Sequence, residues 1–137
     1  MSLLTDLEER LIAAGVTTSI ALARVPDDPD EVIALRETRA GPSRDMNASG
    51  LPALESRAVQ VFVRAGKDSG VATAEAIADT VFRALSGRHF VHDYGSDPRE
   101  HYDWVLANHL PHHLGFDEND RPIVVMNFRV QRWGDVT

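Results

Sequence analysis

Cysteine is absent from this chain of 137 residues, so disulfides and thiolate zinc sites are excluded. Basic charge is in deficit: 14 Lys and Arg stand against 21 Asp and Glu, a net charge of −7. The domain as a whole therefore has no basic stripe with which to displace counterions from phosphates, and no direct nucleic-acid grip is expected. A local basic patch, or a partner with a positive face, stays open. An acidic particle also remains soluble at high copy number. No stretch approaches the ~20 apolar residues of a membrane helix. The first ten residues, Met-Ser-Leu-Leu-Thr-Asp-Leu-Glu-Glu-Arg, lack a basic n-region and an apolar run. No signal peptide and no membrane are expected, and the product is expected to be soluble and made in the cytoplasm. Catalytic signatures are missing as well. Gly66-Lys67-Asp68-Ser69-Gly70 looks like a phosphate cradle but lacks the Gly-x-x-x-x-Gly-Lys-Ser/Thr spacing. No Gly-x-Ser-x-Gly motif occurs. The acidic turn Asp117-Glu118-Asn119-Asp120 lacks the alternating ligands, central glycine and distal Glu of an EF-hand, and Arg121-Pro122 breaks the series.

What is present suffices for one domain with a real core, residues 1–137: an apolar share of 43% is near the globular norm. Leu3, Leu4, Leu7 and Leu11 recur at helical spacing, with Ser2 as a cap and Gly15 as the stop. Strands are expected over 18–24 and 31–37, joined through Pro26-Asp27-Asp28-Pro29-Asp30 as a hairpin. Residues 38–56 read as a long flexible loop, either a plain surface loop or a contact arm ordering against a neighbouring subunit. A central strand is expected over 57–65, apolar on both faces. The second helix, 71–86, is capped by Ser69 and ended by Gly87. Its stripe is Val71, Ala74, Ala78, Val81 and Leu85, flanked by Ile77 and by Phe82, which is expected to be buried. A short strand at 89–92, a strand or helix over 102–110, and a final strand at 123–132 complete the chain. The fold class is α+β: a single mixed, mostly antiparallel sheet of four to five strands, with two amphipathic helices packed on one face.

Histidine offers the one enzymatic temptation. His109, His112 and His113 lie close in sequence, and a metal-dependent hydrolase is the alternative they raise. Pro111 blocks the helix that would align His109 with His113, and His112 and His113 point apart in extended chain. Solvated surface histidines are the plainer reading, with no metal and no cofactor expected. A small ligand-binding domain is a second alternative. Arg129 and Arg132, beside Arg57 and Arg64, read either as an ordinary solvated sheet face with weak ion pairs or as a basic patch meeting an acidic partner.

The block from Gly115 to Arg129 carries a resemblance. Gly115, Asp117, Glu118, Arg121, Asn127, Phe128 and Arg129 fit a pattern Gly-x-Asp-Glu-x-Gly-Arg, a short gap, then Asn-aromatic-basic, with Asp120 standing where glycine is usual. Pro52-Ala53-Leu54-Glu55 and the strand containing Gln60-Val61 and Val63-Arg64-Ala65 fit too, in the same order. In this the chain resembles the minor capsid or tail terminator proteins of long-tailed bacteriophages along nearly its whole length, with 89–109 fitting least. The resemblance implies a structural virion protein and no catalysis. It implies a ring, typically of six, on the head-proximal end of the tail tube, stopping polymerisation and joining the head connector. Self, tube protein and connector are the implied partners, and isolated subunits can be monomeric. Arg44, Asp45 and Met46 in the loop, with Arg57, Arg64, Arg129 and Arg132, are the interface candidates.

Overall fold

The computed structural model describes residues 3–38, 43–46, 52–87, 89–92 and 101–132; among these, the side chains of 43–46, 52–56, 89–92, 101–104 and 132 lie outside the description. The elements run α1 (Leu3–Ala13), β1 (Ile20–Leu22), β2 (Val32–Glu37), β3 (Ser43–Met46), β4 (Pro52–Arg64), α2 (Gly70–Leu85), β5 (His89–His92), β6 (His101–Ala107), β7 (His112–Phe116) and β8 (Pro122–Arg132). The sheet is organised around β4 and β8, antiparallel and in register from Glu55 opposite Arg132 to Arg64 opposite Ile123. On its other side β4 pairs with β2 along 59–64 and with β3 along 52–56. On its other side β8 pairs with β7 at one end and β6 at the other, and β5 lies beyond β6. The class and the one-sided helix layer stand as expected. The sheet is larger than four to five strands: six lie in line, with β3 and β7 attached beside them.

Strand parity explains the layering, since successive side chains alternate faces. Val59, Val61 and Val63 of β4, with Val124, Met126, Phe128 and Val130 of β8, point to one face and are buried. Leu3, Leu7 and Leu11 of α1 and Ala74, Ala78, Val81 and Leu85 of α2 close over them. Burying each large apolar side chain contributes roughly 1.5–3 kcal/mol before chain entropy is charged. Phe82 is only half-buried, at the margin of this core, with its ring 6.2 Å from that of Phe128. Val71 is likewise half-buried, so the fully covered stripe is shorter than the sequence suggests.

Three further local expectations are corrected, and one strand is added. The strands around the Pro-Asp segment are not a hairpin: β1 and β2 are parallel, Ile20 opposite Ile33 and Leu22 opposite Leu35. Residues 23–31 are therefore a crossover, and the left-handed Ala23 (φ 70) ends β1. The segment 38–56 is not all loop, because β3 folds back on the start of β4, which begins at Pro52; residues 39–42 and 47–51 lie outside the described set. Ser69 does not cap α2: its backbone is already helical and its side chain makes no cap bond, lying instead 3.4 Å from Glu31 Oε1. The acidic turn is preceded by a strand, β7, which no alternation in His-His-Leu-Gly-Phe announces. The region 102–110 resolves in favour of strand, β6, and the Ser2 cap lies outside the described residues.

Candidate functional site

Even-numbered residues of β4 and odd-numbered residues of β8 face away from the helices. On that face the register sets Arg36, Gln60 and Asn127 side by side on three neighbouring strands. Gln60 and Asn127 belong to separate sequence blocks, and the fold makes them direct partners in the ladder. Arg36 Nε donates to Gln60 Oε1 at 2.7 Å. Asn127 Nδ2 lies 2.9 Å from His109 Nε2, and His109 Nδ1 lies 2.6 Å from the Leu110 carbonyl. A neutral imidazole with its proton on Nδ1 satisfies both contacts: it donates to the carbonyl and accepts from the amide. Next along the strands comes Arg129, exposed, between Ala58 and Leu106.

The other end of the same face is closed by the crossover. Arg64, 3% exposed, donates from Nε to Asp30 O (2.9 Å) and from Nη2 to Pro26 O (2.7 Å), Pro29 O (2.8 Å) and Asp27 O (3.2 Å). An irregular crossover has no ladder of its own, so carbonyls turned toward the sheet need donors from elsewhere. The guanidinium fork supplies them. Arg121 stands beside it, donating from Nη1 to Asp27 O (2.8 Å) and Asp30 Oδ1 (3.2 Å), and from Nε to Asp117 Oδ2 (2.7 Å). Asp117 Oδ1 accepts the backbone N–H groups of Asn119 and Arg121, both at 2.9 Å.

These contacts move the titrations in opposite senses. Burial pulls Arg64 below the ordinary arginine value and the neighbouring Arg121 charge adds to this, against Asp117, Asp30 and Asp27. For Arg121 burial acts downward, but its bonds to Asp117 and Asp30 outweigh it and raise the value. Burial pushes Asp117 up, and the hydrogen bonds from Arg121 and Asn119 overcome it, so the carboxyl titrates below its ordinary range. Outside this clamp opens an acidic depression of about 550 Å³, lined by Asp27, Asp28, Asp30, Asp68 and Glu118 together with Lys67, Asn119 and Arg121.

The seven interface candidates do not form one patch. Arg57 has the parity of Val59 and sits on the helix side, 3.2 Å from Glu37. Arg129 faces the opposite way. Arg64 is removed from any contact surface by its burial, because its charge is directed inward onto carbonyls. Arg132 falls opposite Glu55, and Arg44, Asp45 and Met46 lie on β3; their side chains are outside the described residues. The histidines are likewise divided. His112 lies opposite Val125 on the open face and His113 opposite Val124 on the helix side. Their rings meet other groups, His112 edge-on to His109 at 6.5 Å and His113 to Phe116 at 5.7 Å. Among the described residues no group of three His, Asp or Glu is placed to hold a metal ion.

Sequence reading missed the Gln60–Asn127 pairing and the Arg64–Arg121 clamp. Parity within each strand could have put Gln60 and Asn127 on polar faces. Only the register, which depends on long-range pairing, could have joined them. Asp120, at φ 59, occupies the left-handed region, which explains why glycine suits that place in the Gly-x-Asp-Glu-x-Gly-Arg pattern.

A family model described as bacteriophage tail terminator protein matches residues 10–132. Among solved structures, a chain from the structure titled "Virion of native gene transfer agent (GTA) particle" superposes with a TM-score of 0.64. The sequences are 17% identical, and the match covers 97% of this chain and 96% of that one. At such identity the likeness is one of fold. No curated protein sequence gives a significant match.

Proposed function

This chain belongs to the bacteriophage tail terminator protein family, and from that membership we propose that it is a structural component of a virion tail. It forms a ring on the head-proximal end of the tail tube, stops the tube from growing, and offers the surface that docks to the head connector. The match over residues 10–132 carries this reading, because it spans the whole sheet and α2 rather than one short motif. The origin of the similar fold in a virion particle supports it. So does the division of labour among the charged residues: Arg64, Arg121 and Asp117 are occupied in holding the crossover, which leaves the exterior to act by shape and charge. Arg44, Asp45 and Met46 on β3, with Arg57, Arg129 and Arg132, are proposed to contact the neighbouring subunit, tube or connector. Arg64 is withdrawn from that set.

Deleting the gene from the phage or prophage that carries it tests the proposal. Overlong tubes and unjoined heads, rescued by supplying the chain in trans, are expected. Joined particles with tails of normal length would contradict it.

A further inference from the structure

The sequence contains two runs of thirteen residues without Asp, Glu, Lys or Arg, 11–23 and 104–116, longer than any other uncharged run. In a chain that is 26% charged such gaps need a reason, and among the described residues part of each run forms an edge strand of the sheet. The first contains β1, whose single strand neighbour among the described residues is β2; the second contains β7, whose single strand neighbour among them is β8. The two edges lie on opposite flanks and at the same level. One line across the sheet passes through Ile20, Ile33, Val63, Val124 and His113. Exposed large apolar side chains gather at the same flanks: Ile12 and Val25 on either side of β1 in sequence, and Leu110, Leu114 and Phe116 at β7, with Leu110 74% exposed. Edge strands that must not pair are normally guarded by charge. At the far end of the sheet β3 carries Arg44 and Asp45. The β1, β5 and β7 edges carry none, but β5 lies at the level of Gln131, whereas β1 and β7 share the level of Val63 and Val124.

We propose that β7 of one copy pairs along β1 of the next, head to tail, so that the sheet continues from subunit to subunit. This rests on the ring reading above and assigns its subunit contact. A second copy is the occupant because an edge strand's outward N–H and C=O groups are best met by another strand edge. The chain itself offers one, also short and uncharged, at the matching level of the opposite flank. Contact between unlike flanks is heterologous and closes by rotation into a ring, whereas β7 against β7 would stop at a dimer. A continuous sheet also keeps the helix sides together. Phe116, opposite Pro122 and so on the helix side, then meets an uncharged groove of about 270 Å³ between residues 15–18 and Ala76, Ile77 and Thr80 of the next copy.

The absence of native cysteine makes the test direct. Ser19→Cys and Leu114→Cys, both at exposed positions, are prepared singly and together in the full chain. They are oxidised at high concentration, alone and with the tail tube protein of the same phage, while tube length is imaged in parallel. The proposal expects disulfides between the two single variants when mixed, none within either alone, and a ladder closing at one fixed size for the double variant. Adding Phe116→Glu to the double variant should abolish the ladder without changing its circular dichroism. Self-linking of either single variant would overturn the proposal in favour of a symmetric contact. Tubes of restricted length without cross-links would overturn the flank contact and leave the tail reading standing. A closed ladder beside tubes of unrestricted length would do the reverse.

Discussion

Arg64 and Arg129 lie on the same face of the same sheet, on its two central strands, and do opposite things. Arg64 is buried beneath the crossover and gives four hydrogen bonds to backbone carbonyls. Arg129 stands in the open between Ala58 and Leu106, with nothing of the crossover above it. Sequence pattern treats the two alike, as basic residues on alternating strands. What separates them is the parallel placement of β1 and β2, which brings residues 23–31 over Arg64 at one end of the face, while Arg129 at the other is exposed. An arginine under an irregular segment becomes part of the fold; an arginine beyond it remains available to a partner.

Substitutions can break this contrast. The largest effect is expected at Arg64→Ala, which strands four carbonyls under the crossover and should cost about 3 kcal/mol or more. Arg129→Ala should stay within about 0.5 kcal/mol. Urea denaturation of both variants makes the comparison, and equal losses would erase it. Asp117→Asn should come next, at about 2 kcal/mol, since it weakens the pair with buried Arg121. It should also change the response to acid. A carboxyl whose folded pKa is depressed stabilises the fold fully above its unfolded value of about 3.9 and loses that contribution as pH falls through the lower folded value. The wild-type chain should therefore lose stability steeply below about pH 4, and Asp117→Asn should flatten that limb. Phe82→Ala, at the margin of the core, should cost about 2 kcal/mol by thermal or urea melts, less than for a fully enclosed phenylalanine. Smallest of all, Asp120→Gly should be neutral or slightly stabilising, while Asp120→Ala should cost about 1 kcal/mol because alanine tolerates the left-handed backbone less well.

Much of the fold was legible because it rests on periodicity. The leucines of α1, the stripe of α2 and the alternation in β4 and β8 announce their elements, and the glycines at 15 and 87 mark the helix ends with φ 95 and 69. The order of blocks along the chain itself points to the family. What failed was set at long range. Parallel pairing of β1 with β2 cannot be seen in a Pro-Asp segment that looks like a reversal. β3 and β7 are short edge strands without alternation, stabilised by the long strands beside them rather than by their own pattern. The basic patch failed because residues 57 and 64 differ in parity, a fact the sequence already contained. The Gly-x-Asp-Glu block was recognised as a signature of function. It turns out to hold a turn-and-clamp device, with Asp117 bonded to Arg121 and Arg121 to the crossover.

The length distribution of tail tubes, assembled from purified tube protein with and without the full chain and imaged by electron microscopy, tests the central claim most directly. A sharp upper limit to tube length, with extra density at one end whenever the chain is present, is the predicted result. Tubes equally long in both preparations, with bare ends, would contradict it.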